Sequence, residues 1–160
     1  MSMGSAGEKL DKIKGEKYLS FPSSIYKYYF ASMNQIIGEV SAGTLQRAGM
    51  EFGKKSAITF RKENRKVTLE EALGVIEELG LGRLRLEEDT IYLEGSFEAE
   101  TVGQSTKPAC NLTTGIIHGV CIGMALSYVY FESECRAQGK PRCVFKKREL
   151  KWHERVQNVI

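Results

Sequence analysis

The strongest periodic pattern begins at Thr68. Leu69, Ala72, Leu73, Ile76 and Leu79 form one apolar stripe at helical spacing. Thr68 followed by Glu71 is a capping-box pair, and Gly80 stands where a helix ends with φ > 0. The spacing therefore predicts one helix over 68–79. Alternation then takes over, with Leu84 and Leu86, then Ile91 and Leu93, and Phe97 continuing the series. Glu87-Glu88-Asp89 lies between the two halves as a turn, which predicts a hairpin with one buried face.

Two further helical patterns flank this unit. From Ser32 to Phe52 the apolar positions Ile36, Ile37, Val40, Leu45, Ala48 and Phe52 recur at helical spacing, interrupted by Gly38, Gly43 and Gly49. From Thr113 to Ser127 almost every residue is apolar or small, with Gly115, Gly119 and Gly123 four apart. That reads as a buried helix whose glycine ridge lets a neighbour or a ligand approach, and it is too short to span a bilayer. Tyr128-Val129-Tyr130-Phe131 predicts a strand, and Cys143 to Trp152 its antiparallel return. Upstream, Ile25-Tyr26-Lys27-Tyr28-Tyr29-Phe30 has strand-like composition. Lys54 to Lys66 reads as a basic loop around Ala57-Ile58-Thr59-Phe60, and Glu100 to Lys107 as a polar connector. Residues 1–17 read as a polar leader, and 18–160 as one domain with no internal repeat.

Composition changes this picture little. The chain has 160 residues, 42% hydrophobic and 27% charged, which is ordinary for a globular domain and excludes disordered, collagenous and disulfide-rich classes. A net charge of +3 does not call for nucleic acid as a partner. No secretion signal or apolar span is evident, so a cytoplasmic protein with no membrane partner is expected. Charge is nonetheless uneven. Leu69 to Glu100 is acidic and Arg136 to Arg155 basic, which ordinarily marks two solvated faces.

The chemistry concentrates in the last third. Cys110, Cys121, Cys135 and Cys143 all lie there. In a chain without a secretion signal, such clustering points to metal binding or catalysis before disulfides. Cys121 sits within the apolar helix and reads as a small hydrophobe. Cys110 follows Pro108 at the helix entrance, and Cys135 and Cys143 flank a turn rich in Gly, Pro and Arg. Three thiolates need a fourth donor. His118 and His153 are the two histidines, and neither falls near the turn. Glu132 lies three residues before Cys135 on the strand that delivers it, whereas Glu134, next to Cys135, should point the other way. Arg136, Lys140 and Arg142 could offset the negative charge. A filled four-donor shell would be a structural zinc site, one ion per chain. With no CxxC pair, spacing alone does not separate this from ordinary buried thiols.

Cys110, Gly115, Gly119 and then Glu132-Ser133-Glu134-Cys135-Arg136-Ala137-Gln138-Gly139-Lys140-Pro141-Arg142-Cys143-Val144-Phe145 resemble the 4-vinyl reductase domain family. Ile37-Gly38-Glu39 and Arg47-Ala48-Gly49 are similar to that family's glycine-bearing helix. The resemblance places zinc ligands on Cys110, Glu132, Cys135 and Cys143. It implies an α/β (α+β) fold, a twisted antiparallel sheet packed against helices, similar to the subunits of the TRAPP tethering complex. It also implies a homodimer. In aromatic-responsive bacterial transcription activators, a similar domain is the sensor that holds a phenolic or hydrocarbon effector.

The function expected on this basis is binding of a hydrophobic small molecule. Phe52, Tyr128, Tyr130 and Trp152 are candidate walls, Gly119 makes room, and His118 supplies a polar contact. The other readings are a reductase acting on a vinyl group and a non-catalytic dimeric scaffold. A reductase needs a redox cofactor, and no GxGxxG or P-loop stands in the right context.

Overall fold

The computed structural model describes residues 22–38, 40–62 and 66–151. The predicted leader, Trp152 and His153 lie outside those residues. Among them, no helix is long and apolar enough to cross a membrane.

Two long helices come first, α1 (Ser23–Ile37) and α2 (Val40–Lys62). Both correct an expectation. The aromatic run at Ile25–Phe30 is helical, despite its β-favouring composition. At helical spacing Tyr26 and Phe30 stack, with ring centroids 6.5 Å apart, and Tyr26 also meets Phe97 edge-on at 5.0 Å. Tertiary contact overrides propensity here. The basic segment after Lys54 is likewise not a loop, because α2 runs on to Lys62. Gly53 and Ala57 keep the buried face going, while Lys55, Arg61 and Lys62 occupy the exposed side. The two last bases suit the negative end of the helix dipole.

The capping box forms as expected at Thr68 and Glu71. The single helix predicted over 68–79 is instead two short ones, α3 (Leu69–Leu73) and α4 (Val75–Glu78), joined at Gly74. Gly80 has φ +72° and closes the unit.

The predicted hairpin is strands β1 (Arg83–Glu87) and β2 (Thr90–Glu94), paired Leu84 to Leu93 and Leu86 to Ile91. Phe97 does not continue the strand. It opens a short helix, α5 (Phe97–Val102), capped by Ser96. Then come the buried helix α6 (Asn111–Gly123), strand β3 (Tyr128–Glu134), a 3-10 turn at Arg136–Gln138, and strand β4 (Cys143–Glu149). The sheet order is β1-β2-β4-β3, antiparallel throughout. This is the expected α+β architecture. Its core joins Ile91, Leu93 and Phe145 of the sheet to Leu73, Ile76, Ile116, Ile117 and Val120 of the helices.

α6 packs on α2 through glycine. A Cβ on Gly115 or Gly119 would collide with the carbonyl oxygen of Gln46 or Met50, and one on Gly53 with that of Ile116. The ridge therefore seats a helix against a helix, backbone to backbone, and α2 fills the space it opens.

Candidate metal site

The last third of the chain converges at one end of the sheet. Cys110 is the N-cap of α6 and lies next to its first turn. Cys143 begins β4, and Cys135 follows the end of β3. All three sulfurs are buried. Cys110 Sγ lies 3.4 Å from Cys143 Sγ and 4.0 Å from Cys135 Sγ, and Cys143 Sγ lies 3.8 Å from Cys135 Sγ. A tetrahedral zinc with Zn–S bonds near 2.3 Å sets its sulfurs about 3.8 Å apart, so this spacing fits such an ion. With one oxygen of Glu132, the four ligand atoms all lie within 4.8 Å of one another.

Glu132 reaches the sulfurs because β3 is irregular. Glu132 and Cys135 are three residues apart, which in a regular strand puts them on opposite faces. The β3–β4 register shifts between Glu132 and Glu134, where Glu132 pairs with Phe145 and Glu134 with the adjacent Val144. Ser133 is the extra residue, and its hydroxyl donates to the Val144 carbonyl at 3.1 Å. This bulge resets the alternation and lets both donors face the cluster.

The carboxylate of Glu132 supplies the sharpest sign of fit. Its Oε2 accepts a hydrogen bond from the Cys110 amide at 3.1 Å. Its Oε1 is buried and has no hydrogen-bond partner. A buried oxygen left unpaired costs about 1–3 kcal/mol, and an ion at the cluster would remove that cost. Burial pushes the Glu132 carboxyl up to about 8. Hydrogen bonds from Cys110 and Cys143 hold the Cys135 thiol far below its ordinary value, while Cys110 is raised by its contacts with Cys135 and Cys143. Without a cation the three sulfurs divide their protons unequally; a divalent ion would allow all to ionise.

The basic side chains of the turn do not provide the expected offset. Arg136 pairs with Glu100 at 2.9 Å, Arg142 lies over the Tyr92 ring at 3.9 Å, and Lys140 is exposed. Backbone amides surround the sulfurs instead. Ala109 N–H points to Cys135 Sγ at 3.4 Å and Arg136 N–H to Cys143 Sγ at 3.3 Å. Ser96 Oγ lies 3.2 Å from Cys110 Sγ. The Ser96 oxygen already accepts from the Ala99 amide, so its own proton is available to the sulfur.

Two residues around this site gave no signal in the sequence, Ser96 and Glu98. Glu98 is 1% exposed. It receives the Leu112 amide at 2.9 Å, the Thr113 amide at 2.8 Å and the Thr113 hydroxyl at 2.7 Å. The Tyr26 hydroxyl adds a longer bond of 3.3 Å. The amides are free donors of the first turn of α6, which an N-cap side chain normally satisfies. A buried carboxylate paired four ways was indistinguishable, in sequence, from one more acid in an acidic stretch.

The remaining expected ligand-binding residues are scattered around α6. His118 is half-buried and donates Nε2–H to the Tyr130 carbonyl, and burial lowers its pKa. Tyr130 is buried and meets Tyr128 edge-on at 5.9 Å. Phe52 packs against the core from α2. Gly119 lies against α2. Cys121 is buried within α6, away from the cluster, as expected.

The stretch that carries the cluster also carries the family signal. Residues 89–149 match the model of the 4-vinyl reductase domain. The chain carries a 4-vinyl reductase domain. The fold around that domain agrees. The phenol-responsive sensory domain of the transcription activator PoxR, solved with phenol, superposes with a TM-score of 0.70 at 16% identity, over 90% of this chain and 83% of that one. A vinyl-4-reductase family protein from Methanocaldococcus jannaschii superposes with a TM-score of 0.61 at 20% identity, over 94% of this chain and 98% of that one. None of the curated proteins matches the chain in sequence.

Proposed function

We propose that this protein is a small-molecule sensor module that binds a hydrophobic or aromatic ligand and is braced by one structural zinc ion. The observation that carries the zinc is the unpartnered, buried Glu132 Oε1 set among three sulfurs at near-tetrahedral spacing. Cys110, Glu132, Cys135 and Cys143 would hold the ion. It would tie the start of α6 to the β3–β4 turn and, with four protein donors, would leave no open position for catalysis.

The ligand reading draws support from the 4-vinyl reductase domain match and from a fold shared with a phenol-responsive domain. The chemistry of His118 fits it. With Nε2–H committed to the Tyr130 carbonyl, neutral His118 has Nδ1 as an acceptor, suited to a phenolic hydroxyl. Tyr128, Tyr130 and Phe52 would furnish apolar walls. Trp152 stays in this proposal on sequence grounds. Gly119 would act by setting the distance between α2 and α6.

A second copy of the chain is the proposed partner. Ile25, Tyr28, Tyr29 and Ile36 of α1 are exposed, an apolar surface suited to a homodimer.

The decisive experiment follows thermal unfolding of the zinc-loaded protein with phenol, alkylphenols, benzene and a tetrapyrrole. A ligand at 100 times its Kd stabilises by about 2.7 kcal/mol, enough for a clear rise in Tm. A rise with phenols that His118→Ala abolishes supports the reading. If no compound raises Tm, the ligand reading falls.

A further inference from the structure

We propose that Glu98 is a positioning residue for the metal site, and that Tyr26 latches it so that zinc binding and the docking of α1 are coupled. The inference rests on the zinc reading above and adds a route from the cluster to the first helix.

The argument begins with the N-terminus of α6. Cys110 is its N-cap, but the Cys110 side chain makes no capping bond to the first turn. Its sulfur is turned to Cys135 and Cys143 instead. The residue that should cap the helix is thus committed elsewhere. Glu98 takes over that task from a different element. Its two oxygens receive the amides of Leu112 and Thr113, the second and third residues of α6. A carboxylate there also suits the positive end of the helix dipole. Glu98 fixes the first turn, and the first turn fixes where Cys110 stands.

The same short segment reaches the cluster and α1. Two residues before Glu98, Ser96 Oγ touches Cys110 Sγ. One residue before it, Phe97 packs edge-on against Tyr26. Glu98 Oε1 receives the Tyr26 hydroxyl as well as the Leu112 amide. A shift of Cys110 therefore moves the acceptor that Tyr26 needs, and undocking of α1 removes a donor from a carboxylate that is 1% exposed. Coupling of this kind is reciprocal: what zinc does for α1, α1 must do for zinc.

The test uses the full chain, zinc alone as the probe, chelator competition for affinity, and amide hydrogen exchange for α1. In the wild-type protein, zinc should slow exchange of α1 amides by about 5-fold or more, the lower end of ordinary coupling. Glu98→Gln keeps the shape but aims an amide group at donors, and should weaken zinc binding about 10- to 100-fold, as loss of an outer-shell partner does. Tyr26→Phe should weaken zinc binding less, and should abolish the zinc-dependent part of α1 protection. Tyr28→Phe, on the exposed side of α1, should change neither. If Tyr26 merely holds α1 in place, its loss will speed exchange equally with and without zinc, and the latch is overturned. If Glu98→Gln does not fold, Tyr26→Phe decides. Zinc uptake with no change in α1 overturns the latch alone, whereas absence of zinc uptake overturns the metal reading with it.

Discussion

Gly119 of α6 and the carbonyl of Met50 of α2 are in direct backbone contact, with no room for a side chain between them; a Cβ on Gly119 would also lie 2.6 Å from the Lys54 amide nitrogen. Backbone cannot swing aside as a side-chain tip can, so Gly119→Ala must part the helices or distort one of them. Overpacking of this kind costs about 1–3 kcal/mol. Gly43 is the control, since a Cβ there meets nothing within 4 Å. Gly43→Ala should stabilise by about 0.5–1 kcal/mol through helix propensity. Urea unfolding of the two variants should move in opposite directions, and equal effects would sink the packing argument.

The cysteines separate in the same manner. Protein never exposed to a metal-affinity column should contain about one zinc per chain if the four donors form a closed shell. Cys135→Ser should lower both zinc content and Tm, because it removes a ligand and leaves the other donors buried. Cys121→Ala should keep its zinc, since Cys121 stands apart from the cluster. Elemental analysis checks both; zinc lost from the Cys121 variant and retained in the Cys135 variant would assign the ligands wrongly.

Much of this site was legible in the chain. Cys110, Cys135 and Cys143 flank recognisable helix and strand ends, and Cys121 sits inside an apolar run, so placement alone sorted them. Glu132 was chosen for its nearness to Cys135, but the bulge at Ser133 that makes the choice work leaves no mark in the residue pattern. Register is a property of two strands, and only the pairing with Phe145 and Val144 reveals it. Glu98 was hidden for a related reason: its partners, Tyr26, Leu112 and Thr113, are far from it in sequence. The hairpin and the capping box at Thr68 were readable because they are local. The α1 error has the opposite cause, since local composition favoured a strand and a long-range contact with Phe97 made it a helix.

The capping box gives a local prediction. Glu71 N–H donates to Thr68 Oγ1 at 3.2 Å, and the Glu71 carboxylate receives the Thr68 amide at 3.0 Å. α3 has five residues, so each terminal bond is a large part of what holds it. Thr68→Ala should cost about 1 kcal/mol, read as a lower urea midpoint at unchanged m-value. Thr68→Ser should retain most of the stability. Equal loss in both variants would count against the hydroxyl as the cause.

His118 predicts how stability follows pH. Burial lowers its pKa below the ordinary 6.5, and the Arg148 charge acts in the same direction against the Tyr130 hydrogen bond. The unfolded chain therefore takes up a proton near pH 6.5 that the folded chain refuses. Stability from this group is complete above that pH and is lost as pH falls from 6.5 toward the lower folded value. His118→Gln removes the titration and keeps an N–H donor for the Tyr130 carbonyl. Tm measured with chelator present, so that the cluster titrates alike in both proteins, should fall less steeply for the variant between pH 7 and pH 5. Parallel curves would show that the folded protein protonates His118 as readily as the unfolded chain does.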